Sequence, residues 1–350
     1  MSDSVSTKWD PRFRRKLIAL GVIVVISALV GGGYAPLVGG TTGESLSQKD
    51  ILVFGAHGML VGLFFSTFEL FYVQGSPGQW LRRMPFAKAL LARSVLNTVV
   101  IVSAFVIGGL TMVPERFTDA GAMESFLRDV AFSFVIALTF QFILTVRQVI
   151  GGRVLWNLIL GRYHRPVKED RIFMFLDMVG SMVVADKMGD LGAQSMITRF
   201  FFDVAQVTTA YGGETHRYVG DEVVVTWPTK QGIKDADCIR CCLGIRERIS
   251  QKADEYQAMF GAVPDFRIGL HAGSVVAAEC GDDKHEIVYF GDTINTAARI
   301  EQYCKVAEKN FLVSGHLVEM LPENSGIEFS HVTNVTLKGH ETETSLYTAG

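Results

Sequence analysis

Four apolar runs before residue 150 constrain this chain more than anything else in it: about Leu17 to Pro36, Ile51 to Val73, Ala89 to Val113 and Phe126 to Ile150. Each is near the ~20 residues that carry an α-helix across the hydrocarbon core of a bilayer. Backbone N–H and C=O groups in lipid must be paired within the spanning structure, so runs of this length are expected to be membrane helices. After residue 170 the composition becomes that of an ordinary α/β domain. The 350 residues therefore divide into a basic tail (1–16), a four-span region (17–150), a helical linker (151–170) and a folded domain (171–350).

Loop charges set the expected orientation. The tail carries Lys8, Arg12, Arg14, Arg15 and Lys16, the 74–88 loop carries Arg82, Arg83 and Lys88, and Arg153, Arg162, Arg165 and Lys168 follow the fourth run. The 37–50 loop has only Lys49, and the 114–125 loop sets Arg116 among Glu115, Asp119 and Glu124. An excess of Lys and Arg marks the cytoplasmic side, which puts the N-terminus and the C-terminal domain there, with the lipid bilayer as partner of the spans. A cleaved signal peptide is not expected, because the first run lacks a small-residue cleavage site and further spans follow.

Among the polar residues within the runs, Glu69 and Arg93 lie near cytoplasmic ends, where snorkelling or mutual pairing suffices, and His57 suits an interhelical hydrogen bond. The five cysteines all fall after residue 230 with no second cluster or nearby histidines, so they read as packing residues in a reducing compartment rather than as a zinc site. A net charge of −3 gives no basis for nucleic-acid binding. In the linker, Val154, Leu155, Leu158 and Ile159 form an apolar stripe at helical spacing that a second copy of the chain could pair with, and Pro166 ends it.

The folded domain opens on RIFMFLDMVGS. Ile172 to Leu176 reads as a buried strand ending on Asp177, and Met178-Val-Gly-Ser as a turn before a helix, where phosphate oxygens could sit. Downstream, Gly220-Asp221 is a two-residue turn between the runs THRYV and EVVVTW, a hairpin signal that puts Asp221 at the tip. If that hairpin pairs beside the first strand, two carboxylates converge, which is costly unless a cation neutralises them. Hard oxygen ligands left partly open suit Mg²⁺ or Mn²⁺.

Helices are expected over about 183–188, 193–211 and 233–260, and strands over about 265–271, 274–279 and 287–290. A further helix starts with Asp292 as its N-cap, and small strands lie near 311–314, 327–330, 332–337 and 344–348. The β-α-α-β-β-α-β order suggests a ferredoxin-like α+β core. On the helix from Asp292, Asn295 and Arg299 are four apart and share a face, where an amide and a guanidinium could orient a sugar and neutralise charge on a phosphate.

In order, FLDMVGS, HRYVGDE, FRIGLHAG, FGDTINTAARIE and TLKG, over about residues 168–348, resemble the catalytic domain of class III nucleotidyl cyclases in its membrane-anchored bacterial form. The resemblance implies a homodimer, joined through catalytic domain and linker, with active sites shared between two chains and a location in the bacterial inner membrane. It also implies that Asp177 and Asp221 bind two Mg²⁺ or Mn²⁺ ions per site, assisted by the Met178 carbonyl, with the Gly180 and Ser181 amides on phosphate. Asn295 of the other chain would hold the ribose and Arg299 would stabilise the transition state, while Lys338 and Lys284 grip the triphosphate.

Adenylate-forming members usually have Lys and Asp or Thr at the base-reading positions, and guanylate-forming members Glu and Cys. Here Arg217 and Val288 stand there. The resemblance favours ATP as substrate and cyclic AMP with pyrophosphate as products, with GTP, or a catalytically weak sensor using the domain for dimerisation, as alternatives. A diguanylate cyclase, suggested by RYVGDE, would need glycine where Val219 stands and gives NTAAR no role.

Overall fold

The computed structural model describes residues 11–42, 47–73, 75, 77–82, 84–112, 127, 130–131, 134–135, 138–146, 160–282, 285–337 and 343–349. The chain divides into two compact units, Met1–Gly152 and Arg153–Gly350.

The first unit contains α1 (Pro11–Thr42), α2 (Gln48–Thr67), which continues as a π-helix over Phe68–Val73, and α3 (Phe86–Met112). Among the described residues three stretches are long and apolar enough to cross a membrane: Lys16–Pro36, Gln48–Val73 and Ala87–Thr111. Of the fourth run, residues 138–146 are helical and much of the rest lies outside the described residues, so three candidate spans stand where four were expected. Glycines let α1 and α2 approach, since a Cβ on Gly31 would stand 3.0 Å from Cα of Gly58.

The polar residues of this unit depart in part from expectation. His57 Nδ1 lies 3.1 Å from the Val53 carbonyl of its own helix, not of a neighbour, because the i−4 oxygen is the nearer acceptor. Glu69 and Arg93 are 2% and 6% exposed, so neither snorkels, and the Arg93 guanidinium instead acts on the Glu69 carboxylate, the mutual pairing that was the other expectation. Asn97 donates across to Gln141 at 3.4 Å.

In the second unit, β1 (Val167–Met178), α4 (Ser181–Ala210), β2 (Glu214–Val219), β3 (Glu222–Pro228), α5 (Asp237–Gln251), α6 (Ala253–Phe260) and β4 (Phe266–Cys280) come first. They are followed by β5 (Glu286–Phe290), α7 (Asp292–Val306), β6 (Phe311–Ser314), α8 (Gly315–Met320), β7 (Phe329–Val335) and β8 (Thr344–Ala349). The sheet runs β2-β3-β1-β4-β6-β8-β7, with β5 paired to β4. β1 is antiparallel to both β3 and β4. α4 breaks at Gly189 (φ 73°), as the two expected helices require.

The β1 run is continuously apolar because the strand is covered on both faces. Ile172, Met174, Leu176 and Met178 pack with Phe200 of α4 and Ile245 of α5. Phe173 and Phe175 pack on the other side with Tyr289 of β5 and Ala297 of α7. The cysteines behave as packing residues: Cys238, Cys241, Cys242 and Cys304 are buried, and burial pushes the Cys241 and Cys304 thiols up to about 12.

Several boundaries differ from expectation. The two strands expected over 265–279 are one, because Gly273 stays extended and its missing Cβ admits Thr293, whose hydroxyl donates to the Ser274 carbonyl at 2.8 Å. The strands near 327–337 are also one, with an irregularity between His331 and Thr333. The long helix over 233–260 is divided at Lys252, and Asp292 is the first residue of α7 rather than its cap, a place taken by Gly291 at φ 142°.

Candidate active site

β1 delivers Asp177 to its C-terminal end, and the β2–β3 turn delivers Asp221 beside it. The register fixes this: Asp177 faces Glu222 on β3, and the Met178 N–H donates to the Asp221 carbonyl at 3.4 Å. The hairpin tip is thereby tied to the end of β1. Gly220 at φ 61° makes that tip, a left-handed conformation that glycine adopts without penalty. On the other side, Asp177 faces Arg267 of β4.

The electrostatics follow from that crowding. Burial and then the charge of Asp221 raise the Asp177 carboxyl, against Arg267 and the Met178 N–H. Glu222 is pushed up to about 7 by burial and by Asp177 and Asp221. Glu301 of α7, buried at 5% exposure, is also pushed up to about 7, by burial and then by Asp177 and Glu222. Four carboxyl groups act on one another beside the Arg267 guanidinium, a donor set that a dication would relieve. Among the described residues no three such groups are placed to enclose a metal by themselves. Two aspartates with open positions to be filled by substrate oxygens are what Mg²⁺ favours over a closed protein cage.

Gly180, at φ 73°, stands before the first residue of α4, Ser181. Their amides belong to a helix start, where N–H groups lack intrahelical acceptors. α7 presents Asn295, exposed, and Arg299, partly buried with Nη1 lacking any hydrogen-bond partner. Arg217 on β2 meets Glu286 of β5 at 3.8 Å, and Val288 sits opposite Ala278. Among the described residues no hydrogen bond or ion pair joins Asn295 or Arg299 to Asp177 or Asp221. Lys284 and Lys338, and the linker stripe from Val154 to Ile159, lie outside the described residues.

Glu222, Arg267 and Glu301 were not among the expected site residues. Two of them had a signal, since Glu222 closes the HRYVGDE motif and Glu301 closes FGDTINTAARIE. Their burial beside Asp177 is a consequence of sheet register and helix packing, which those letters do not carry.

Comparison with known proteins bears on the family and the fold. A model of the "Adenylate and Guanylate cyclase catalytic domain" matches residues 166–349. Adenylate cyclase 2 of Rhizobium meliloti (strain 1021) is 41% identical over 207 residues, 59% of this chain and 56% of that protein. Adenylate cyclase 1 of the same organism is 25% identical over 245 residues, 67% of this chain and 34% of the relative. The chain thus spans about half or less of the length of these relatives. Among solved structures, a bacterial light-regulated adenylyl cyclase aligns with a TM-score of 0.54 at 20% identity, covering 63% of this chain and 64% of that one, a likeness of fold.

Proposed function

Because the chain belongs to the adenylate and guanylate cyclase catalytic domain family, we propose that it is a membrane-anchored adenylate cyclase. It converts ATP to 3′,5′-cyclic AMP and pyrophosphate at sites shared by two copies of the chain. What supports this most is the convergence of Asp177 and Asp221 at the end of β1, tied by the Met178–Asp221 backbone bond. Two Mg²⁺ or Mn²⁺ ions on these aspartates, with the Met178 carbonyl, would supply Lewis-acid activation of the ribose hydroxyl and charge neutralisation at the triphosphate.

The chain's own groups bind and orient. Gly180 and Ser181 amides donate to phosphate oxygens, Lys284 and Lys338 grip the triphosphate, Asn295 of the second copy holds the ribose, and its Arg299 neutralises charge developing on the α-phosphoryl group. The substrate's 3′-oxygen forms the new bond to the α-phosphorus, the bond to the β-phosphate oxygen breaks, and the hydroxyl proton leaves to water. No nucleophilic side chain is needed, since phosphoryl transfer is served by positioning and charge stabilisation. The orphaned Nη1 of Arg299 agrees with a guanidinium awaiting an anion.

The apolar helices anchor the enzyme in the bacterial inner membrane with its N-terminus and catalytic domain cytoplasmic, and linker and catalytic domain form the homodimer. GTP is the alternative substrate, since a guanidinium at 217 donates to guanine O6 as readily as to adenine N1. Purified full-length protein supplied with Mn²⁺ and either ATP or GTP decides. Cyclic AMP is expected, cyclic GMP selects the alternative, and no product from folded protein refutes the enzyme.

A further inference from the structure

Under the function proposed above, the purine is read at Arg217 and Val288, and Val288 has no hydrogen-bonding group in its side chain. The exocyclic amine of adenine needs an acceptor. Glu286 lies two residues before Val288 on β5, so both project from the same face of the strand. Its Oε2 stands 3.8 Å from Nη2 of Arg217, with both side chains nearly half exposed. One residue before Arg217 and three beyond Glu286, the rings of His216 and Tyr289 meet edge to face with centroids 5.0 Å apart. Tyr289 also carries the buried Arg171 guanidinium 4.9 Å from its centroid. These contacts hold β5 against β2 and keep Arg217 and Glu286 adjacent.

We propose that Glu286 is a specificity-determining residue of the base subsite, whose carboxylate accepts a hydrogen bond from the 6-amino group of adenine while Arg217 donates to ring nitrogen N1. A donor beside an acceptor is the complement of that edge of the base, where N1 accepts and the 6-amino group donates. A solvated ion pair at this separation is weak, so either partner turns to a nucleotide at small cost. A carboxylate also makes a stronger acceptor than a backbone carbonyl would.

The test is binding of two ligands to the full-length protein in detergent, measured by calorimetry: 3′-deoxy-ATP, which lacks the attacking hydroxyl, and its counterpart without the 6-amino group. Wild type should prefer the amino compound by about tenfold or more, the worth of one hydrogen bond to a charged acceptor. Glu286→Ala should bind the two alike, and Glu286→Gln, which keeps a carbonyl acceptor, should retain part of the preference. If Glu286→Ala weakens both ligands equally and keeps their ratio, Glu286 only positions Arg217 and the proposal is overturned. It is also overturned if wild type does not distinguish the pair. Turnover is scored separately: an intact binding preference without cyclic AMP from ATP refutes the enzymatic function and leaves the base subsite standing. No binding of either ligand overturns both.

Discussion

Gly269 lies on β4 where α7 crosses the sheet, and a Cβ added there would stand 2.7 Å from Cα of Glu301 and 2.8 Å from the Ala297 carbonyl oxygen, with the Glu301 amide nitrogen closer still. All are backbone atoms, so no change of rotamer relieves the clash. Ordinary contact begins at 3.4 Å, so α7 must lift, or β4 bend, by about 0.7 Å to clear the Glu301 Cα and by more than that to clear its amide nitrogen. α7 is the helix that carries Asn295 and Arg299. Displacing positioning groups by about 1 Å costs on the order of 100-fold in rate, so Gly269→Ala should lower kcat by roughly 10- to 100-fold. Overpacking at the same point should cost about 1–3 kcal/mol of stability. Cyclic AMP production by the purified variant, with its unfolding temperature measured alongside, reads both. A variant with wild-type kcat would refute the reasoning, because α7 would then either not be seated on Gly269 or not set the placement of Arg299.

Two further outcomes follow from charge. Asp203 is fully buried and accepts from Lys252 (2.7 Å), Tyr256 (3.0 Å), Arg199 (3.1 Å) and Arg248 (3.4 Å). Burial pushes its carboxyl up, but the bonds from Lys252 and Tyr256 and the surrounding cations bring it below the ordinary value. Its contribution is thus present above the unfolded pKa of about 3.9 and is lost as pH falls through the lower folded one. Asp203→Asn should cost about 3 kcal/mol in urea unfolding, the low end for a broken buried pair because Arg199 and Arg248 are a third exposed, and a loss under about 1 kcal/mol would contradict it. Glu222 and Glu301 run the other way: raised from 4.5 to about 7, they hold more protons folded than unfolded. Without metal, stability should therefore fall as pH rises from about 4.5 towards 7, and Mn²⁺ should flatten that slope, whereas thermal unfolding that is equally pH-dependent with and without Mn²⁺ would exclude the ion from this site.

How much of this was legible in the sequence depended on the range of the interaction. Apolar runs of bilayer length and the Gly220–Asp221 hairpin are local signals, and the structure carries both, with three of the four runs described at spanning length. The break in α4 at Gly189 falls between the two helices expected over 183–188 and 193–211. Gly273 misled, because the same residue that permits a turn here permits close approach by Thr293 within a continuous strand. Glu301 stood at the end of a motif, but its burial beside Asp177 was not legible there, since that depends on α7 settling over Gly269. The meeting of Arg217 with Glu286 was equally out of reach, because β2 and β5 are not neighbours in sequence or in the sheet ladder.

The claim on which the rest turns is that Asp221 of one copy and Arg299 of another serve the same site. Asp221→Ala and Arg299→Ala should each abolish cyclic AMP formation as purified, folded, dimerising proteins. Mixing the two and allowing subunits to exchange should restore a fraction of wild-type activity, because one of the two sites in each mixed dimer keeps both groups. A mixture that forms mixed dimers and remains as inactive as either variant alone would contradict the shared site.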